Sequence, residues 1–400
     1  MTRKKAGNNQ FLKKYNEAQV LNLIRIRHAV SRADLSEATG LSPTAIGVIV
    51  SGLIERGYIH EIGTGESRGG RKPVLLKLKP DSYYSVGVDV DTSYMNIVLM
   101  DSTGRIIFED SAALNPPVIF EDFIRRLQDS VTEVIGKFSV NADRLLGVGI
   151  SVPGLIDVKT QQIILAPNLG WKNADIIPRL DRLRGVPLYI ENEAMASAMC
   201  ESWVGMCQDV KNFVCINVES GIGAGIFTSG EVYRGADGSA GEVGHIMVDE
   251  NGPKCGCGNY GCLETVASIK SIVEKAKKLV RQGTVSMLNE IEDVDTISID
   301  SVIKAAREGD EASRNILNES ARYIGIAISY IVNTLNPSKI VIGKEFVKYA
   351  DLVMDQVKNV VSCKALEFPA SKVEIVPSQM GCKSSVYGAA IIPIKALFGK

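Results

Sequence analysis

His245, Cys255, Cys257 and Cys262 fall within Gly241 to Thr265, GEVGHIMVDENGPKCGCGNYGCLET. This stretch holds one of the chain's three histidines and three of its eight cysteines. Imidazole and thiolate grouped in this way are zinc ligands. Three sulfurs and one ring nitrogen complete a closed tetrahedron, which leaves no open position for a catalytic water and so predicts a structural Zn2+. The alternative is a set of unpaired thiols in a reducing cytosol. Glu242 and Glu264 flank the cluster, so an ion pinning this loop would also fix two carboxylates in space.

The other five cysteines, Cys200, Cys207, Cys215, Cys363 and Cys382, lie among apolar or small neighbours and are expected to be buried free thiols. Four hundred residues suggest two or three domains. With 45% hydrophobic and 23% charged residues, the composition is that of an ordinary globular protein. The N-terminus MTRKKAGNNQ has no apolar signal region, and no run of 18 apolar residues follows, so a cytoplasmic location without membrane contact is expected. The net charge of −1 conceals an asymmetry. Residues 1–80 hold 14 Lys and Arg against 6 Asp and Glu, a balance of +8, and the remainder carries −9. A basic head on an acidic body points to an anionic partner for the head alone.

That head has the pattern of a helix-turn-helix. Val20, Leu21, Leu23, Ile24 and Ile26 make an apolar helical face. Ser31 and Asp34 fit a capping box, with Leu35 and Ala38 as buried positions and Gly40 as the stop. Ser42 and Pro43 open a third helix whose inner face is Ile46, Ile49, Val50, Leu53 and Ile54. Ser42, Thr44, Ala45, Gly47 and Val48 are left at its outer start, small enough to let the backbone approach a major groove. YIHEIG and VLLKLK then predict a wing, with Arg68, Gly69, Gly70, Arg71 and Lys72 at a tip suited to a narrow minor groove. The expected partner is double-stranded operator DNA. One such head covers little DNA, so a dimer on a palindromic site is expected, with a tetramer as the larger alternative.

After Pro80 the chain turns to α/β patterning. A hairpin is expected over 85–101 and a strand near 146–150; VPLYI and NFVCINV are further strands, the latter running into a glycine-rich turn at 220–225. A long apolar helix over 312–335 precedes a buried strand, KIVIG. The motifs GVGISVPGLID, APNLGW, ENEA, SGIGAG and the GEVGH to GCLE segment resemble the ROK family of sugar kinases and repressors. With its head, the whole chain resembles the repressor branch. The stretches IGTGESRGGRKPVLLKL, ENEA and YRGADGSAGEVGHIMVDENGPKCGCGNYGC look most like its xylose-responsive members.

The resemblance implies an α/β fold: a winged helix-turn-helix over 1–80, then an actin-like, ribonuclease H-like body of two lobes. The small lobe would cover 81–195, completed by about 385–400. The large lobe, 196–384, would bear the zinc site and the dimerisation surface. It also implies a sugar site with hydroxyl contacts from Asn192, Glu193, Glu242, His245 and Glu264, and with Gly154 and Asn168 on the other lobe.

Two departures from the family's kinases suggest a sensor without catalysis. Where kinases carry D-x-G-G-T, this chain reads Asp89-Val90-Asp91-Thr92-Ser93, which puts a carboxylate where phosphate oxygens would sit. Where they carry an N-D base, it has Asn192-Glu193, longer by one methylene. The longer side chain would fill the space of a hexose's exocyclic group, so D-xylose is the expected ligand. A hexose or amino sugar is the alternative ligand, and an ATP-dependent sugar kinase the alternative function.

Overall fold

In the computed structural model, which describes residues 9–65 and 72–398, two serines start the second and third helices of the basic head. Helix α1 (Asn9–Arg27) buries Val20, Leu21 and Ile24. After the short strand β1 (Val30–Ser31), Ser31 caps α2 (Arg32–Thr39). Its Oγ accepts from the Asp34 amide at 3.2 Å, while Asp34 Oδ2 accepts from the Ser31 amide at 3.1 Å. Leu35 is buried, but Ala38, expected inside, is exposed. The helix stops one residue beyond it, where Gly40 takes a left-handed φ of 70° and diverts the chain.

In α3 (Pro43–Glu55), Ser42 Oγ accepts from the Ala45 amide, and Ile46, Ile49, Val50 and Leu53 form the inner face. The wing pairs β2 (Ile59–Thr64) with β3 (Val74–Leu78), and β1 adds to the other edge of β3. Arg68, Gly69, Gly70 and Arg71 lie outside the described residues, and Lys72 is exposed at the wing's base.

The chain divides into two units, Met1–Asn192 with Val386–Lys400, and Glu193–Ser385. Beyond the head, the first unit holds β4 (Tyr84–Val90), β5 (Tyr94–Asp101), β6 (Ile106–Ala113), α4 (Phe120–Lys137) and β7 (Leu145–Val152). A satellite antiparallel sheet follows from β8 (Leu155–Asp157), β9 (Gln162–Ala166) and β10 (Trp171–Ala174), and then β11 (Leu188–Asn192). The main sheet runs β11-β7-β4-β5-β6, antiparallel through the β4–β5–β6 meander and parallel across β4, β7 and β11.

Alternation along β4 decides what covers each face. Val86, Val88 and Val90 share one core with Phe123, Leu127 and Val131 of α4. Gly87 faces the opposite way, toward the C-terminal helix. A Cβ on it would lie 2.4 Å from Val386 O, and one on Gly149 of β7 would lie 1.9 Å from Ala389 O. Glycine at both positions lets that helix seat directly on the strands.

The second unit opens with α5 (Glu193–Trp203) and continues with β12 (Phe213–Val218), β13 (Ile222–Thr228) and β14 (Glu231–Val232). Helices α6 (Leu263–Ala267), α7 (Ile269–Arg281), α8 (Ile299–Glu308) and α9 (Glu311–Leu335) lead to β15 (Lys339–Lys344), α10 (Ala350–Lys364), α11 (Glu367–Ala370) and β16 (Glu374–Pro377). Its sheet is β14-β13-β12-β15-β16, with β15 and β16 parallel to β12.

The glycine-rich segment expected as a turn is mostly strand. Only Glu219 to Gly221 turn the chain, because Gly223 and Gly225 belong to β13 beneath α5. A Cβ on Gly225 would come within 2.4 Å of Ala194 O and Ala198 Cβ. Of the five dispersed cysteines, Cys363 is exposed and Cys382 half-buried, against expectation. Cys363 lies one residue before the end of α10, beyond that helix's last buried position at Val361. Among the described residues, no single helix is long and apolar enough to cross a membrane.

Asp310 caps α9. Its carboxylate accepts from the Ser313 amide at 2.8 Å, the Met287 amide at 3.1 Å and Ser286 Oγ at 2.9 Å. Burial pushes its pKa up, but these donors outweigh that and hold the carboxyl below its usual value. Asp310→Ala should therefore destabilise the protein by about 1–2 kcal/mol at pH 7. A depressed folded pKa contributes stability that is complete above the unfolded value and is lost as pH falls through the folded one. The gap between wild type and variant in urea unfolding should thus shrink below about pH 4. A gap that persists unchanged to pH 2 would assign the cost to packing.

Candidate metal centre and ligand site

Gly241 lays the chemical segment onto β13. Its φ is 97°, and a Cβ there would lie 1.9 Å from Ala224 O. The Gly241 carbonyl accepts from the Ala224 amide at 2.8 Å. Glu242 precedes the single 3-10 turn Val243–His245, so Glu242 and His245 project from one short, fixed arc. The chain then folds back on itself through bridges Met247 to Cys262 and Lys254 to Tyr260. Within that hairpin, the Cys255 amide donates to Asn259 O and the Gly258 amide to Cys255 O, a tight turn that brings the sulfurs together.

The four expected ligand atoms lie within 4.8 Å of one another. Cys255 Sγ is 3.6 Å from His245 Nδ1, and Cys257 Sγ is 3.7 Å from Cys262 Sγ. A tetrahedral zinc with metal–sulfur bonds near 2.3 Å would separate its sulfurs by roughly 3.8 Å, and the Cys257–Cys262 pair at 3.7 Å fits such an ion. Cys255 and Cys262 are buried, and Cys257 is exposed. Burial, then hydrogen bonds with Cys257 and Cys255, push the Cys262 thiol up to about 12. The Asn259 backbone hydrogen bond is the main cause that lowers Cys257. Three thiolates this close together repel one another unless a cation collects their charge.

Beside the cluster, His245 Nε2 is 4.0 Å from Glu242 Oε2. The ring therefore turns Nδ1 to the thiols and Nε2 to a carboxylate. Burial raises the Glu242 pKa, the neighbouring His245 lowers it, and Glu264 raises it. Glu264 sits in the first turn of α6, and its Oε2 accepts from the Ile222 amide at 3.2 Å. A Cβ on Gly221 would lie 2.7 Å from Glu264 Oε2, so any side chain there would displace that carboxylate. The second unit thus gathers Glu242, His245 and Glu264, donors and acceptors of the kind that grip a polyol. Glu193, half-buried, is the first residue of α5.

In the first unit, Asn192 Nδ2 donates to Gly154 O at 2.8 Å, which joins two of the expected residues. Asn168 is exposed in the turn Pro167–Leu169. Asp91 is buried; its amide donates to Tyr94 O, and its Oδ1 accepts from the Thr92 amide. The Asp91 and Thr92 amides of the turn between β4 and β5 are consequently engaged within the protein. In the head, Ser42, Thr44 and Val48 are exposed, and Ala45 and Gly47 half-buried.

Sequence reasoning overlooked Lys344. It is fully buried at the end of β15 with φ 60°; its Nζ lies 3.3 Å from Glu219 Oε2 and donates to Ser385 Oγ at 2.7 Å. A lysine closing the apolar run KIVIG was the available signal. Its partner at 219 is too distant in the chain to be read from it.

The ROK family model matches residues 85–396. The xylose repressor of Caldicellulosiruptor bescii is 33% identical over 388 residues, covering 97% of both chains. Among solved structures, a ROK family transcriptional regulator described as a homolog of the E. coli MLC protein aligns with a TM-score of 0.84 at 29% identity, covering 97% of both chains. A ROK family glucokinase from Streptomyces griseus, solved with glucose and AMPPNP, aligns with a TM-score of 0.67 at 28% identity, covering 77% of this chain and 98% of its own. The kinase accounts for a share close to the family segment, while the regulator and the repressor extend over nearly the entire length. On the family match over most of its residues and a full-length relative above 30% identity, the chain belongs to the ROK family.

Proposed function

We propose that this chain is a sugar-responsive transcriptional repressor that binds a palindromic operator as a homodimer in the cytoplasm and releases it on binding D-xylose. The observation that carries the reading is the likeness over 97% of both chains to a xylose repressor, head included. The basic head and its capped helix pair support the DNA partner. Glu193, Glu242, His245 and Glu264 are the proposed sugar contacts of the second unit. The proposed ion is a structural Zn2+ on His245, Cys255, Cys257 and Cys262, which would orient His245 and hold the two carboxylates at either side. Phosphoryl transfer depends on donors positioned for phosphate, and Asp91, whose carboxylate takes up the Thr92 amide, argues against a kinase.

A gel-shift titration tests the reading. Saturating D-xylose should weaken operator binding about a hundredfold, which requires about 2.7 kcal/mol of differential sugar affinity between the free and bound states. D-glucose and N-acetylglucosamine at equal concentration should do much less. Release by a hexose but not by xylose would reassign the inducer. Turnover of ATP with any of these sugars would favour the kinase instead.

A further inference from the structure

Gly47 sits inside α3 although the fold does not require glycine there. A Cβ built on it would meet nothing within 4 Å. Glycine in a helix interior is disfavoured against alanine, because it loses more backbone freedom on folding. The next residue, Val48, is 67% exposed. Valine is also a weak helix former, since its branched side chain is restricted by the preceding turn. Two consecutive residues therefore oppose the helix, and packing uses neither. Local choices that conflict with the element carrying them mark functional positions.

The rest of that face narrows what it can recognise. Thr44 and Ser51, four residues before and three after Val48, are exposed on the same side. The helix, PTAIGVIVSGLIE, contains no Arg, Lys, Asn, Gln or His. It lacks the side chains that read guanine or adenine with paired hydrogen bonds. It offers methyl groups and hydroxyls. The major-groove feature that a methyl surface recognises is the C5-methyl of thymine.

We infer that α3 reads its operator through Val48 packed on thymine methyls, with Gly47 bare so that the helix backbone can seat close to the base edges. This rests on the proposed operator-binding function. Phosphate contacts fall to other parts of the head, where Lys13, Lys14 and Lys72 are exposed, so base reading and charge are separated.

The test starts from a duplex selected by the full-length chain out of a randomised pool. Deoxyuridine, which lacks only the methyl, then replaces the selected thymines. The wild type should lose about tenfold or more in affinity. Val48→Ala should bind more weakly and show no difference between thymine and uracil. Gly47→Ala should raise the thermal midpoint by about 2 °C while losing at least about tenfold in operator affinity, with low-salt binding to unrelated DNA unchanged. Equal wild-type binding of the thymine and uracil duplexes, or full operator affinity in Gly47→Ala, would overturn the inference and leave operator binding intact. Failure to select any duplex would overturn both.

Discussion

Stripping the proposed zinc from this protein should lower its thermal midpoint by at least about 10 °C and abolish its response to sugar. Structural zinc contributes about 10–16 kcal/mol in small peptides that fold only around it. Here backbone bonds from Cys255, Gly258 and Leu263 already shape the loop, so only part of that stabilisation is at stake. A loss of about 5 kcal/mol corresponds to roughly 10–20 °C for a unit of this size. The coupling to sugar follows from the ring of His245, whose Nδ1 faces Cys255 and whose Nε2 faces Glu242. Without an ion on Nδ1, the ring can rotate and change tautomer. Cys257→Ser and Cys262→Ala should reproduce the effect of a chelator, and metal content measured alongside should fall. Because the thiols must lose protons to bind the ion, and burial holds Cys262 high, zinc affinity should fall steeply as pH is lowered. Sugar binding that survives complete removal of zinc would reduce the cluster to a clamp.

Glu264→Ala should weaken sugar binding by a hundredfold or more while operator binding without sugar stays within threefold of wild type. The carboxylate links its segment to β13 through the Ile222 amide at 3.2 Å, and in the proposed site it would also accept from a sugar hydroxyl. Hydrogen bonds to a charged group contribute roughly 1.5–3 kcal/mol, and truncation also strands the Ile222 donor. Glu264→Gln keeps an acceptor for that amide and removes only the charge, so it should lose closer to tenfold. Calorimetry with D-xylose separates the two. Equal affinity in wild type and the alanine variant would remove Glu264 from the ligand site.

Much of the candidate site was legible because its signals are local. The capping pairs Ser31 with Asp34 and Ser42 with the Ala45 amide span three residues, and their geometry follows from helix start rules alone. The cysteine spacing within one hairpin predicted the ligand cluster, since a tight turn brings such sulfurs together whatever surrounds it. Glycine was harder to read. In SGIGAG the glycines suggested a turn, but Gly223 and Gly225 are strand residues made small by α5 lying across them. Ala38 and Cys363 missed their expected burial, because an apolar face or apolar sequence neighbours do not say how far the covering element extends.

The sequence by itself determined the charge division, the capped helix starts of the head and the residue types at the Cys3His cluster, all set by composition or by neighbours a few residues away. Only the tertiary structure decided which contacts demand them. Gly149 has no side chain because Ala389 occupies its place, Lys344 is buried because Glu219 meets it, and Glu264 is oriented by the Ile222 amide. These partners are separated by tens to hundreds of residues, and steric exclusion and charge pairing act through space, so the local pattern of the chain carries no trace of them.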